Sequence, residues 1–303
     1  MRFTALFLLL FVLPAFADMG SIPFKNSARI TEPKQDAIIA WNGKEQLLYL
    51  QTTLAASADT KVLEVMPLPS RPTVEASNSG VFKRCAYHLP IERSSPRKGG
   101  GGDGPFGDND AFDPAAKVVE IKEIGAHQLK IVQLLDAGKF EAWVQSEFSE
   151  NGDRLEIPKA LLKVIGEYAR DGYVWFLFDT IDLSTSKIKK TPLRIQFATD
   201  TLYYPMRITR TESGQTEVSL SIFTNVLFEK QDCVGIPREQ IKVPAKPRTI
   251  PGDQVAWIDP PIAKLLGNPK TAKLRRWVIS GRIDKFEKDL LITHPSRRPK
   301  ANE

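Results

Sequence analysis

The sequence predicts an α+β fold, with largely antiparallel β-sheets, a central helix pair and a small basic C-terminal subdomain. Three observations lead to this prediction. Asn42-Gly43 lies between two apolar runs, which is the strongest short-range signal for a β-hairpin. Two later segments repeat apolar residues every three or four positions, as amphipathic helices do. The run Tyr173–Phe178 (YVWFLF) is apolar throughout and indicates a strand that is buried on both faces.

The hairpin is predicted in detail. A two-residue turn, in which Asn42 and Gly43 both take φ > 0, places Trp41 opposite Lys44. A third apolar run, Val62–Met66, is positioned to extend the hairpin into a three-stranded meander. Beyond the turn the strands are apolar on both faces. We therefore expect later helices, or a second sheet, to cover them on both sides.

Two helices are predicted in the middle of the chain. The second begins at Pro158, because the N–H that proline lacks would have no partner at the first position of a helix. It ends before Gly172, which is a C-cap. Each helix carries one stripe of apolar residues. Burying each large apolar side chain stabilises the folded state by about 1.5–3 kcal/mol, so the two stripes indicate core rather than a ligand site. The stripes are Phe140, Trp143, Val144 and Phe148 in the first helix, and Leu161, Val164, Ile165 and Tyr168 in the second.

Short strands and one short helix are predicted in the rest of the chain. A proline-rich connector, Pro237–Pro251, separates an antiparallel series from the basic end. The predicted strands are Val118–Ile121, Gln128–Leu134, Leu193–Ala198, Tyr204–Thr209, Glu217–Phe223, Asn225–Lys230, Trp277–Ile279 and Leu290–Thr293, and the helix is Ile262–Leu266.

The chain divides into five parts by composition. A glycine- and aspartate-rich segment has too few apolar residues to fold alone and predicts a flexible loop, and we expect a disordered tail after Pro295. The parts are a signal peptide (1–17), an N-terminal β-meander region (18–93), the flexible loop (94–116), the helix pair with an antiparallel sheet (117–233, one domain with 18–93), and the basic C-terminal region (234–303).

The first residues, MRFTALFLLLFVLPAFADM, indicate an exported protein that is periplasmic or extracellular. Arg2 is the positive region, Leu6–Leu13 the apolar core, and Ala17 the last residue of a small-x-small cleavage site, so Asp18 begins the mature chain. A membrane anchor is the alternative, but the apolar run is too short to cross about 30 Å of hydrocarbon. No later stretch is apolar enough to predict a transmembrane segment in the mature chain.

The two cysteines, Cys85 and Cys233, leave two alternatives open. In an oxidising compartment an even pair is a disulfide candidate. Two buried free thiols are the other alternative, because spacing alone does not decide between them.

The positive charge is concentrated at the C-terminal end. The chain carries a formal net charge of +6, and residues 234–303 contain 15 lysines and arginines against 7 acidic residues, a net charge of +8. This region is a candidate contact for an anionic envelope surface, against the simpler interpretation of a solvated face. Nucleic acid is not an expected partner after export. The densest cluster is Lys273, Arg275, Arg276, Arg282, Lys285 and Lys288.

Motifs for metal ions, cofactors and nucleophiles are missing from the sequence. The histidines, His88, His127 and His294, are far apart and form no HExxH pair. Cys85-x-x-His88 is half of a zinc spacing, and Cys85 with His127 is a weak candidate for a thiol nucleophile and its base. There is no G-x-S-x-G elbow and no phosphate loop. The acids of the glycine-rich segment do not follow the calcium-loop spacing; they are Asp103, Asp108, Asp110 and Asp113.

The sequence therefore favours a non-catalytic binding or envelope-associated module that needs no cofactor or metal. The alternative is a secreted hydrolase that acts on cell-wall or peptide substrates with a carboxylate-based site. Asp179 and Asp182 at the end of the buried strand are its candidates. Three positions apart on a strand, their side chains are predicted to point to opposite faces.

Several segments together resemble a family of exported bacterial proteins known only as a domain of unknown function, over about residues 20–230. The resemblance implies secretion and a mixed α and β fold, and it implies no activity, because the family has no established catalytic residues. The segments are Gly20–Pro23, Glu32-Pro33 with Gln35, Ala37–Gly43, Val62–Ser70, the helix pair with Tyr168 and Gly172, and Tyr204-Pro205.

Overall fold

The computed structural model describes residues 20–25, 28, 30–31, 35–89, 115–149, 155–184, 188–211 and 215–294. The described chain is mostly antiparallel β-sheet with a few short helices, which confirms the α+β class. The predicted signal peptide with its Ala17/Asp18 cleavage site, the four acids of the glycine-rich segment and the tail after Pro295 lie outside the described residues.

Eighteen strands and five helices make up the regular structure of the described residues. The strands are β1 (Gly20–Pro23), β2 (Ile30–Thr31), β3 (Gln35–Trp41), β4 (Glu45–Ala56), β5 (Thr60–Leu68), β6 (Thr73–Ala76), β7 (Ala116–Ile124), β8 (His127–Leu134), β9 (Trp175–Leu183), β10 (Ile188–Lys189), β11 (Leu193–Ala198), β12 (Thr201–Tyr204), β13 (Gln215–Thr224), β14 (Cys233–Val234), β15 (Ile241–Lys242), β16 (Arg248–Pro251), β17 (Thr271–Arg282) and β18 (Leu290–Thr293). The helices are α1 (Gly80–His88), α2 (Phe140–Phe148), α3 (Lys159–Arg170), α4 (Gly252–Ile258) and α5 (Pro260–Leu265).

The elements stack in four layers. A five-stranded sheet, in the order β1-β5-β9-β8-β7, packs one face on α2 and α3. A ten-stranded sheet, whose main path is β15-β17-β13-β3-β4-β11-β6, packs one face on α1, α4 and α5. The inner faces of the two sheets meet in the largest apolar cluster, on which a three-stranded sheet, β12-β18-β14, also packs. Strands β3 and β9 are therefore covered on both faces, as their continuous apolar runs predict.

The β3–β4 hairpin is confirmed, but its predicted register is wrong. Trp41 lies opposite Gln46, not Lys44. The reason is the side chain of Asn42, whose Oδ1 accepts backbone N–H groups at 2.9 and 2.8 Å from the two residues that follow Gly43. The backbone of Asn42 therefore continues the ladder, and of the two turn residues predicted to have φ > 0, only Gly43 does, at 95°.

The three-stranded meander is also wrong. Val62–Met66 does lie in a strand, β5, but β5 pairs with β1 and β9 in the five-stranded sheet. Strand β4 pairs instead with β11, and β3 pairs in parallel with β13. A strand that is apolar on both faces satisfies either sheet, so the local pattern of β5 does not specify its neighbours.

The region after Val234 shares its sheets with earlier parts of the chain. Strand β17 is antiparallel to β13 over ten residue pairs, from Gln215–Arg282 to Thr224–Lys273. Strand β18 lies between β12 and β14. The basic end is thus part of the ten-stranded and three-stranded sheets, and it does not form a separate subdomain in this topology.

Two predicted strands are wrong. Tyr204–Thr209 holds only the last residue of β12, because Pro205 cannot donate to a ladder, and the chain then forms a 3₁₀ turn at Arg207–Thr211. Asn225–Lys230 contains no strand. Helices α1 and α4 are not predicted, whereas α2 and α3 begin and end within about a residue of the apolar stripes that predict them.

Candidate functional site

Four ionisable side chains meet between the two large sheets, and we call them the interlayer cluster: Glu64, His127, Asp179 and Lys190. Strand register places Glu64 directly opposite Asp179 on the inner face of the five-stranded sheet. Lys190, from the segment between β10 and β11, lies 2.6 Å from Glu64. His127 Nδ1 lies 2.5 Å from Asp179 Oδ2. Two acids on neighbouring strands repel, so each is stabilised by its own base.

The hydrogen bonds of His127 indicate which of its ring nitrogens carries a hydrogen and where a proton is shared with Asp179. Its Nε2 lies 2.9 Å from the carbonyl oxygen of Thr191, which can only accept, so Nε2 carries a hydrogen. A single further proton then joins Nδ1 to Asp179. Gly125 allows this close approach, because a Cβ there would lie 2.5 Å from the Thr191 hydroxyl, and its φ is +60°.

The interlayer cluster is closed to solvent. Glu64 is 1% exposed and Asp179 is 0% exposed. Burial raises the pKa of Glu64 above its usual value, and the ammonium of Lys190 opposes that rise. A substrate in solution therefore has no access to these carboxylates, and the charges serve to join β5, β8, β9 and the segment before β11.

A second group lies on the surface where α1 meets α4, and we call it the aromatic corner: Tyr87, His88 and Trp257. Tyr87 is 78% exposed and Trp257 is 55% exposed, although both are large aromatic residues. Their ring centroids are 6.3 Å apart, and both rings meet His88 edge to face. Exposed aromatic side chains in contact with one another mark interaction surfaces more often than isolated ones do.

Cations surround the aromatic corner. Lys83 and Arg84 precede Tyr87 and His88 by one helical turn on α1, and Arg84 donates from Nε to the Ile258 carbonyl oxygen at 2.8 Å. Burial lowers the pKa of His88, and the positive charge of Arg248 lowers it further. His88 is therefore neutral at pH 7, and its Nε2 is buried without a hydrogen-bond partner among the described residues.

The structure separates two arginines of the predicted basic cluster. Arg275 and Arg276 are adjacent on β17, so they point to opposite faces, and both are buried. Arg275 Nη2 donates to Glu229 at 3.1 Å. Arg276 donates to Ser219 and lies 3.6 Å from Asp36. Neither guanidinium is placed to contact a surface outside the protein.

The other four cations of that cluster are more accessible. Lys273 is half-buried and donates to a threonine hydroxyl of β16 at 2.9 Å. Arg282 forms two hydrogen bonds with Asp284, while Lys285 and Lys288 are exposed. The six predicted residues therefore do not form one surface.

Cys85 and Cys233 are free, buried thiols. Cys85 lies in the cluster beneath α1, and Cys233 lies in the cluster between the sheets, so a whole sheet layer separates their surroundings. Of the two alternatives from the sequence, the structure has the two thiols and not the disulfide. Burial raises the pKa of Cys85 to about 12, which leaves it protonated and unreactive.

The sequence candidates for catalysis are not brought together. His127 bonds to Asp179 and not to Cys85, which lies on the other side of the ten-stranded sheet. His294 packs against the rings of Trp41 and Phe228. Among the described residues, no group of three or more side chains could hold a metal ion.

Asp179 and Asp182 do point to opposite sides of β9, as predicted. Asp179 is buried, whereas Asp182 is exposed. The prediction missed Glu64, Lys190, Tyr87 and Trp257. A signal existed for Glu64, which stands alone as a charge within the apolar run VLEVM. Lys190 and the aromatic corner have no comparable sequence signal.

Fold and site define a four-layered α+β protein with a sealed ionic cluster and an exposed aromatic surface. The chain belongs to the family described as an uncharacterized protein conserved in bacteria (DUF2330), whose model matches residues 14–260. No curated protein matches the sequence. Within the described ranges, no helix has the length and hydrophobicity needed to cross a membrane.

Solved structures of a baculovirus protein show a weak likeness to this chain. One is a mutated baculovirus P35 after caspase cleavage, with 11% identity, a TM-score of 0.34, and coverage of 86% of this chain and 93% of that chain. Another is the caspase-8/P35 complex, with 10% identity, a TM-score of 0.30, and coverage of 88% and 91%. At these TM-scores the likeness supports no statement about the fold or function of this chain.

Proposed function

We propose that this chain is an exported protein of the bacterial envelope that binds a partner without catalysing a reaction, and that the aromatic corner is its contact surface. The observation that carries the proposal is the exposure of Tyr87 and Trp257 side by side. Tryptophan, tyrosine and arginine are the residues that most often dominate binding energy. Arg84 precedes Tyr87 on α1 and donates to the backbone of Ile258, the residue after Trp257.

A carboxylate-based hydrolase is the alternative from the sequence, and the interlayer cluster does not favour it. A catalytic acid must lie within hydrogen-bond distance of the substrate atom that it protonates. It must therefore line a cleft that admits the substrate. Glu64 and Asp179 are each bonded to a base and lie inside the sheet sandwich. The described acidic pair therefore supports folding rather than hydrolysis.

Export is tested by the mature N-terminus. In the bacterium that produces the protein, we expect intact-mass measurement of the full chain to give a product that begins at Asp18 and is recovered outside the cytoplasm. Replacing Ala17 with a bulky residue, Ala17→Leu, should block processing at that bond, because signal peptidase sites require small side chains. An unprocessed wild-type protein in the cytoplasmic fraction would overturn the proposal of export.

Envelope binding is tested by the fluorescence of Trp257. All five tryptophans lie in the described residues, and Trp257 is the exposed one, whereas Trp41, Trp143 and Trp277 are buried and Trp175 is half-buried. Purified envelopes should protect the mature protein from acrylamide quenching. The Trp257→Phe variant isolates this signal, since it should show little quenching with or without envelopes. Unchanged quenching of the wild-type protein would contradict the binding proposal.

A further inference from the structure

We infer that the aromatic corner docks on a bilayer of anionic phospholipid, an inference that rests on the proposed envelope function. Tryptophan and tyrosine are the side chains that settle at the headgroup level of membranes, because their rings are apolar and their N–H or O–H groups reach water. Tyr87 and Trp257 protrude from two different helices, α1 and α4, at one place on the surface.

The size of the aromatic corner favours a bilayer over a protein partner. A stable protein interface buries about 800 Å² on each side and involves roughly 20–30 residues. Here two protruding aromatic residues stand above a buried histidine. Two interfacial aromatic anchors and a few cations suffice for reversible attachment to a membrane surface, since insertion and charge attraction add.

Charge around the aromatic corner complements an anionic headgroup. The cations Lys83, Arg84 and Arg248 adjoin it, and Lys83 and Arg248 are exposed. On α4, the acid one turn before Trp257 is Asp253. His88 is neutral for the reasons given above and adds no charge. The local excess of cations therefore attracts phosphate groups rather than neutral surfaces.

The second acid near this surface already has a hydrogen-bond partner inside the protein. Asp259, which follows α4, accepts a hydrogen bond of 2.6 Å from the hydroxyl of Tyr49. The positive charge of Arg194 also acts on that hydroxyl. The aromatic corner thus differs from the predicted C-terminal basic cluster. There Arg275 and Arg276 are buried against polar partners, and Phe286, the aromatic residue next to Lys285, is itself buried.

The test is co-sedimentation of the mature chain, residues 18–303, with vesicles of phosphatidylglycerol and phosphatidylcholine, compared with phosphatidylcholine alone. We expect binding to the anionic vesicles, with quenching of Trp257 by brominated lipid. The double variant Tyr87→Ser/Trp257→Ser should bind at least about tenfold more weakly, because two aromatic side chains no longer enter the interface. The variants Lys83→Glu and Arg248→Glu should each weaken binding by about fivefold or more.

Matched controls separate this surface from the rest of the protein. Ile121→Ser and Leu135→Ser remove exposed apolar side chains elsewhere, at 63% and 57% exposure, and should leave binding unchanged. Lys285→Glu and Lys288→Glu make the same charge change in the C-terminal cluster and should have little effect. Far-ultraviolet circular dichroism and an unchanged urea midpoint confirm that each variant is folded.

Each outcome of the vesicle experiment supports or overturns the inference. Equal binding to neutral vesicles, or binding that survives the double aromatic change, overturns it. A loss caused by the Lys285→Glu and Lys288→Glu changes alone assigns docking to the C-terminal cluster and overturns it as well. Protection of Trp257 by whole envelopes without any binding to vesicles overturns the lipid inference but leaves the proposed function in place. The partner would then be a protein or a glycan of the envelope.

Discussion

Replacing Lys190 with methionine should lower the free energy of unfolding by about 3–5 kcal/mol, because it leaves a buried carboxylate without its partner. Glu64 is 1% exposed and its hydrogen bond from Lys190 is 2.6 Å long. Methionine has a similar length and fills the space, so the loss reports the charge and not a cavity. Urea denaturation of the mature protein at pH 7 measures the effect.

The pH dependence of the Lys190→Met variant distinguishes charge from packing. Without the ammonium, Glu64 takes up a proton more readily when the protein is folded than when it is unfolded. Stability of the variant therefore rises as the pH falls from 7 toward the unfolded pKa of about 4.3 for glutamate. The deficit relative to wild type should shrink over that window, and a deficit that is constant with pH would contradict the explanation.

Two further variants control for this prediction. The double variant Glu64→Leu/Lys190→Met removes both charges and should recover most of the lost stability, since buried ion pairs are often replaceable by apolar residues. Arg282→Ala breaks the ion pair with Asp284 at the surface and should leave the urea midpoint unchanged. A loss in the surface variant as large as that of Lys190→Met would show that the assay does not report burial.

Local structure could be predicted from the sequence where one pattern fits one element. The stripe of Phe140, Trp143, Val144 and Phe148 has helical spacing, and the structure has α2 over those residues. The run YVWFLF has no alternation, and its last four residues begin β9, the middle strand of a sheet that is covered on both faces. Periodicity of two or 3.6 residues is set by the backbone, so it is readable without knowing the neighbours.

Strand neighbours could not be predicted, because they depend on contacts far apart in the chain. Strand β5 follows β4 directly but pairs with β9, more than one hundred residues later. From Val62 to Leu68 both faces of β5 are apolar apart from Glu64, and the same pattern fits a place beside β4. The parallel pairing of β3 with β13 likewise has no local signal.

The two groups of the candidate site differ in how far they could be predicted. A charge within an apolar run, as at Glu64, or directly after one, as at Asp179, indicates a buried ion that needs a partner. The partners, Lys190 and His127, come from other parts of the chain and are found only by folding. Trp257 and Tyr87 resemble core residues in sequence, and their exposure depends on how α1 and α4 pack.

Replacing Asp289 with alanine should also cost about 3–5 kcal/mol, because one carboxylate oxygen satisfies three donors in the interior. Asp289 Oδ1 accepts from the Tyr168 hydroxyl at 2.7 Å and from the backbone N–H groups of Met206 and Arg207 at 2.9 Å each. The guanidinium of Arg207 lies over the Tyr168 ring at 3.9 Å. These contacts join α3 to the 3₁₀ turn and to the start of β18. Urea denaturation measures the loss.

The Asp289→Asn variant separates the hydrogen bonds from the charge. Asparagine keeps an oxygen acceptor for the three donors, so this variant should lose much less stability than the alanine variant.

Burial raises the pKa of Asp289, although Tyr168 and Arg207 oppose the rise. The folded state therefore holds a proton more tightly than the unfolded state, whose aspartate pKa is about 3.9. This contribution to stability is present below that pH and is lost as the pH rises through the folded pKa. The advantage of wild type over Asp289→Asn should thus decrease between pH 4 and 7, and an advantage that grows with pH would show that the folded protein favours the ionised carboxylate.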